Sequence, residues 1–226
     1  APRLKSEIDS GVVNPGSLME KAMGAFRLGD LERAYSLAKL SYLLAPENGH
    51  LLLDIWGVGA ALDPKRTRLE LIRLQQAGDS SPFLALALGS TCNVLGLYDE
   101  AIEWLKRGLE KSPTDPFALA MLYNELAYVN AKKGEHLERS VALARSALEI
   151  FPDEKANGFI RDTLGVAYLK MGDLDKAIPN LREAVAKDPT VIPRFHLALA
   201  LLKRRDSPGG LAELKCIAAA RPSLES

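Results

Sequence analysis

Three histidines could do acid–base or metal chemistry: His50, His136 and His196. They stand far apart in the chain, with no HExxH or comparable spacing to set two imidazoles on one metal. Each therefore reads as an ordinary surface or partly buried histidine. Cys92 and Cys216 have neither metal-ligand spacing nor the pattern of a disulfide framework. Both fall on apolar faces of predicted helices, where a free thiol packs as a small hydrophobe. Carboxylates pair at Asp99 with Glu100 and at Asp173 with Asp175. Such pairs can share acid–base work. Here they stand where a helix begins, and negative charge there caps free N–H groups and meets the positive end of the dipole. The run Gly57-Val58-Gly59-Ala60-Ala61 has the opening of a nucleotide-binding loop, but it follows no strand and lacks the final glycine. No GxSxG nucleophile motif occurs. The expectation is a protein without catalytic residues, cofactor or metal.

Composition narrows the partners. Lys plus Arg number 29 and Asp plus Glu number 29, so the formal net charge is zero. A nucleic-acid binder needs a basic excess to displace counterions, which argues against DNA or RNA. Apolar residues make up 47% of the chain, ample for a buried core. The longest apolar stretches, 83–89 and 51–62, fall short of the roughly 20 residues that cross a bilayer, and Asp54 interrupts the second. No charged start followed by an apolar block marks an export signal. The expected protein is soluble, cytoplasmic or periplasmic, and is not inserted in a membrane.

The elements that would position a binding site emerge from an internal repeat. One unit reads Leu164-Gly165-Val166-Ala167-Tyr168, then Gly172-Asp173-Leu174-Asp175-Lys176-Ala177-Ile178, then Ala184 and Asp188-Pro189. A second reads Leu88-Gly89, Gly96 through Ile102, Gly108 and Pro113; a third reads Gly29 through Ala34, Ser41 and Pro46. Weaker copies place Ser140 after Gly134-Glu135, with one residue inserted in the turn, and Gly210 after Asp206. A degenerate copy carries Ile55-Trp56 and Asp63-Pro64, with Arg68 where a small residue belongs. The small-residue positions Ala34, Arg68, Ala101, Ser140, Ala177 and Gly210 are spaced 34, 33, 39, 37 and 33 residues apart. Glycine at each turn ends a first helix, small residues let paired helices approach to roughly 8–10 Å, and proline stops the second helix. A single unit cannot bury its own faces, so neighbours must stack.

This pattern resembles the tetratricopeptide repeat. The resemblance implies an all-α, right-handed superhelical solenoid of about six units and twelve helices. Residues 1–16 would form a leader or linker ending in Asn14-Pro15-Gly16, and 17–226 the array, with approximate units 17–48, 49–81, 82–115, 116–154, 155–190 and 191–224. Extra residues near 113–116, 137 and 153–157 should lengthen helices or loops. The segment 132–189 is also similar to repeat segments of bacterial cell-envelope proteins.

In that family the first helix of each repeat lines the binding groove. Carried onto matching positions, the resemblance nominates Phe83, Leu86, Ser90 and Asn93 in the third unit. The fourth supplies Met121, Asn124, Tyr128 and Lys132, the fifth Phe159, Asp162, Val166 and Lys170, and the sixth Phe195, Leu199 and Lys203. Apolar members of this set can equally pack between repeats, whereas the polar ones have less packing reason to be there. The carboxylate clamp of chaperone-binding members is missing, since Met19 and Met23 occupy its slots in the first unit. Lys132, Lys170 and Lys203 form a row at the ends of successive first helices that would attract an acidic partner. The expected function is recognition of a peptide or partner domain. Its alternatives are a structural module that self-associates through the C-terminal repeat, where Leu211, Leu214, Cys216, Ile217 and Ala218 leave apolar surface, or the regulatory segment of a larger protein.

Overall fold

In a computed structural model of the chain, residues 14–111, 114–151 and 157–219 are described, and every regular element among them is an α-helix. The chain divides into two compact units, Ala1–Ser112 and Pro113–Ser226. The first holds α1 (Pro15–Arg27), α2 (Leu31–Leu44), α3 (His50–Leu62), α4 (Pro64–Gln76), α5 (Pro82–Val94) and α6 (Tyr98–Glu110). The second holds α7 (Pro116–Lys133), α8 (Leu137–Ile150), α9 (Gly158–Met171), α10 (Leu174–Lys187), α11 (Val191–Lys203) and α12 (Ser207–Ala219). Helices pack in consecutive hairpins, α1 on α2 through α11 on α12, and within each unit hairpins stack on their neighbours. The all-α repeat of helix pairs expected from the sequence is what forms.

Helix starts follow from local chemistry. Asn14 Oδ1 accepts from the Ser17 amide at 2.9 Å, Ser17 Oγ accepts from the Asn14 amide at 3.2 Å, and Pro15 takes the first helical position. That capping box makes Asn14-Pro15-Gly16 the opening of α1 rather than the end of a linker. The remainder of the expected leader, residues 1–13, lies outside the described residues. Asp30, Asp63, Ser81, Asp115 and Asp173 cap α2, α4, α5, α7 and α10 through their side chains. Asp99 and Glu100 stand in the first turn of α6, where their charge meets the helix dipole as expected, but neither is its N-cap. Its N-cap is Leu97, while Glu100 turns to Arg68 at 2.5 Å and accepts from the Trp104 indole at 3.3 Å.

Pro46 and Pro189 directly follow the ends of α2 and α10, whereas the stops expected at Pro113, Pro152 and Pro222 lie outside the described residues. The longest repeat interval is taken up partly by α7, which runs 18 residues. The residue inserted near 137 is absorbed by His136, which adopts a left-handed φ of 51° just before α8.

Small residues mark where paired helices cross. A Cβ on Gly165 would lie 2.5 Å from Leu181 Cγ, and one on Gly89 would lie 2.6 Å from Leu105 Cγ. Ala34, Ala101, Ser140 and Ala177 are fully buried at the same contact. In the degenerate repeat this position is Thr67 and not Arg68. Thr67 is 1% exposed, faces Gly59, and donates its amide to the N-cap Asp63, as Ala177 does to Asp173. Arg68, one residue further round α4, points away from that crossing to Glu100. The sequence register was one residue off because Asp63-Pro64 shortens the turn. In unit two the core runs through Ala127, Leu164, Val166, Ala167, Tyr168, Ala177, Ile178, Leu181 and Leu197.

Polar ties link α2 to α4 and to the loop that follows α4. The Tyr35 hydroxyl donates to Glu70 at 3.1 Å, Lys39 pairs with Glu70 at 2.7 Å, and the Tyr42 hydroxyl donates to Asp79 at 2.6 Å. Burial, with the Glu70 charge, pushes the Tyr35 phenol up to about 12. For Glu70, burial pushes the carboxyl up, but bonds from Lys39, Tyr35 and Arg66 outweigh it and hold the group below its ordinary value. Burial at Glu100 is likewise outweighed by Arg68 and Trp104. Carboxyls lowered on folding add stability that is fully present above their unfolded value and is lost as pH falls through the folded one. Urea midpoints should therefore drop on the acid side, and Glu70→Gln should flatten that limb. An acid limb unchanged by Glu70→Gln would contradict the assigned network.

Candidate functional site

In unit two the first helices α7, α9 and α11 lie side by side, α7 against α9 and α9 against α11, and together they form one wall. Each ends in a lysine, Lys132, Lys170 or Lys203, in the last turn, where positive charge meets the free carbonyls. Lys132 Nζ sits 5.6 Å from the centre of the Tyr128 ring, and Lys203 Nζ reaches the Leu169 carbonyl of α9 at 3.5 Å. Lys170 is exposed. Two members of the lysine row are thus held against the wall by contacts within the protein.

The centre of the wall is polar. His196 Nδ1 on α11 lies 2.8 and 2.9 Å from the two carboxylate oxygens of Asp162 on α9, and Asp162 is 6% exposed. A carboxylate oxygen only accepts, so this contact calls for a proton on Nδ1. The Tyr128 ring lies 6.3 Å from the His196 ring and Phe195 lies 6.1 Å from it. Phe159 and Phe195 are 36% and 46% exposed. Asn124, 8% exposed on α7, has a buried Oδ1 without a hydrogen-bond partner among the described residues. The wall therefore joins two exposed rings, a half-buried tyrosine, buried acceptors and lysines at one edge.

In the third unit Asn93 on α5 is 7% exposed, as enclosed as Asn124 and Asp162, and Phe83, Leu86 and Ser90 are buried with it. Val166 is buried at 4%, while Leu199 is 42% exposed. Sequence reasoning passed over His196. The signal available was its distance from Asp162, 34 residues, which is one repeat period and so puts the two on neighbouring first helices.

Elsewhere the chemistry is structural. Burial pushes the Cys92 thiol up to about 11, whereas Cys216 is exposed on α12 and does not join a core as the sequence suggested. Gly57 and Gly59 lie inside α3. Among the described residues no group of three or more His, Cys, Asp or Glu is placed to hold a metal, and no helix is long and apolar enough to cross a membrane.

Residues 163–224, spanning most of the last two helix pairs, match the family model of the tetratricopeptide repeat. Residues 163–224 carry tetratricopeptide repeats. Comparison with curated proteins gives no match. Among solved structures, this repeat chain superimposes on the APC/C hetero-tetramer Cut9-Hcn1 with a TM-score of 0.74 at 18% identity, covering 98% of this chain and 43% of that one. It also superimposes on PilW, a type IV pilus biogenesis factor, with a TM-score of 0.66 at 14% identity, covering 93% of this chain and 95% of that one. YrrB, a tetratricopeptide protein with an unusual peptide-binding site, gives a TM-score of 0.50 at 18% identity, covering 89% of this chain and 97% of that one. At such identities the likeness speaks to the fold. This repeat chain thus spans less than half of the Cut9-Hcn1 chain it matches and nearly all of the PilW chain.

Proposed function

We propose that this tetratricopeptide array is a non-catalytic protein-interaction scaffold, and that the wall of α7, α9 and α11 takes an extended peptide segment of a partner. Repeat solenoids generally bind along such surfaces, and YrrB is a relative in fold described as having a peptide-binding site. The observation that carries the reading is the Asp162–His196 bond. It spans two consecutive first helices in the middle of the wall, with exposed Phe159 and Phe195 nearby. The half-buried Tyr128 extends the surface onto α7. Lys132, Lys170 and Lys203 at the edge favour an acidic segment.

Peptides selected by display against the chain test this, with affinities measured by calorimetry. Affinity should be about micromolar, because ordering a flexible segment is costly. Tyr128→Ala should weaken binding about tenfold, as loss of an aromatic anchor does. Replacing Lys132, Lys170 and Lys203 together by alanine should remove most of the salt dependence. Selected peptides indifferent to Tyr128→Ala and to the triple change would overturn the reading.

A second reading, self-association, has one observation in its favour. Phe195, Leu199 and Leu202 on α11 are 46%, 42% and 38% exposed, and Leu211 on α12 is 52% exposed. Their counterparts one repeat earlier, Asp162, Val166, Leu169 and Ile178, are all under 9%. Leu214 and Ile217, expected in the same patch, are half-buried. Sedimentation over a concentration range separates the readings. Under the second reading, oligomers form and Leu199→Glu with Leu202→Glu disperses them.

A further inference from the structure

A recess of about 400 Å³ opens where the α11–α12 turn packs on α10, with Ile178 and Leu201 as its buried floor. Arg182 from α10 and Arg204 and Arg205 from the turn line it, together with Asp206. Asp206 is already used: its Oδ1 accepts the Gly209 amide at 3.0 Å at the start of α12. Arg204 reaches the highly exposed Asp175 at 2.8 Å, a pair that water screens heavily. Among the described residues neither Arg182 nor Arg205 has an ion-pair partner. Three guanidiniums thus surround one space with a single, engaged carboxylate among them.

The backbone supplies an independent observation at the same place. Arg205 has φ 67°, in the left-handed region. At the matching turn of other repeats stand Gly29, Gly96, Gly134 and Gly172, with φ between 74° and 83°. Glycine adopts that conformation freely, while a side chain there crowds its own carbonyl. One repeat therefore holds an arginine in a strained backbone where glycine would be the stable choice, and that arginine lines the recess. Strained backbone of this kind clusters at ligand and switch sites, although His136 shows it too, where it takes up an inserted residue.

We infer that this recess is a docking site for a phosphoryl group carried on a partner protein. The site is separate from the α7–α9–α11 wall and does not depend on it. Guanidiniums are planar forks that hold oxyanions through paired N–H donors, and they stay charged throughout the physiological range. Three of them against one engaged carboxylate suit the charge of a phosphoryl group, roughly −1.5 to −2, better than a lone carboxylate.

Inorganic phosphate and sodium acetate, titrated at matched ionic strength and followed by amide NMR, provide the first test. Phosphate should shift resonances around Ile178, Arg182 and Arg204 to Asp206, while acetate leaves them in place. A peptide bearing phosphoserine should bind more tightly than its glutamate counterpart. Arg182→Ala should weaken the phosphate response at least tenfold with an unchanged melting midpoint. Arg205→Gly should weaken it similarly while raising the midpoint by roughly 2–4 °C, because the strain is relieved. Equal responses to phosphate and acetate would mean an ordinary solvated basic patch and overturn the assignment. A glutamate peptide that bound more tightly would overturn it in favour of acidic-peptide docking. A phosphate response that survived Arg205→Gly and Arg182→Ala would place the anion elsewhere.

Discussion

Replacing Gly165 by alanine should lower the thermal midpoint, and the same replacement at Gly57 should raise it. Both glycines lie inside helices, where alanine is ordinarily better by about 0.5–1 kcal/mol. At Gly57 a new Cβ meets nothing within 4 Å, so the helix preference acts alone. At Gly165 it would lie 2.5 Å from Leu181 Cγ, 2.7 Å from Cδ2 and 3.3 Å from the Leu181 backbone nitrogen. Leu181 is fully buried, so the helices must part or the leucine must leave its rotamer, a cost of about 1–3 kcal/mol. Ala177→Leu, at a fully buried position on the facing helix, should cost at least as much. Melting curves for the three variants decide the matter. If Gly165→Ala were as stabilising as Gly57→Ala, the helix crossing would be misplaced.

The Asp162–His196 pair should show strong energetic coupling. His196→Ala removes the hydrogen-bond partner of a carboxylate that is 6% exposed, and leaving such a buried acceptor unsatisfied costs about 1–3 kcal/mol. Asp162→Ala leaves an imidazole more exposed than the carboxylate, 14% against 8% by side chain, so its cost should be smaller. The double variant should cost less than the sum of the singles, with a coupling of about 1–3 kcal/mol. Denaturant unfolding of the four proteins measures this directly. Strictly additive costs would mean that the two residues are neighbours without interaction, and the polar centre of the wall would lose its preorganised element.

Most of the fold was legible because repetition multiplies weak local signals. Gly172-Asp173 and Ala177 each say little, but their recurrence as Gly29-Asp30 with Ala34, and as Gly96 with Ala101, marks the turn and the crossing together. Where a copy degenerates the register slips, as between Arg68 and Thr67, since Asp63-Pro64 replaces the glycine turn and only packing reveals which residue faces Gly59. The wall was legible in part. Asn124, Tyr128 and Phe195 were nominated by their repeat positions, while the burial that Asn93 and Asn124 share depends on how neighbouring helices enclose them, which a residue's own position does not encode. His196 was missed because a lone histidine carries no motif. Arg205 was missed because a departure from glycine in a turn looks like sequence drift until its positive φ is seen.

The central claim, that α7, α9 and α11 form the partner-binding wall, is tested most directly by hydrogen–deuterium exchange of the chain with and without a display-selected peptide. Binding should slow exchange along Asn124 to Lys132, Phe159 to Lys170 and Phe195 to Lys203, and leave the second helices α8 and α10 unchanged. Protection confined to α8, α10 or unit one, with none on the three first helices, would contradict it.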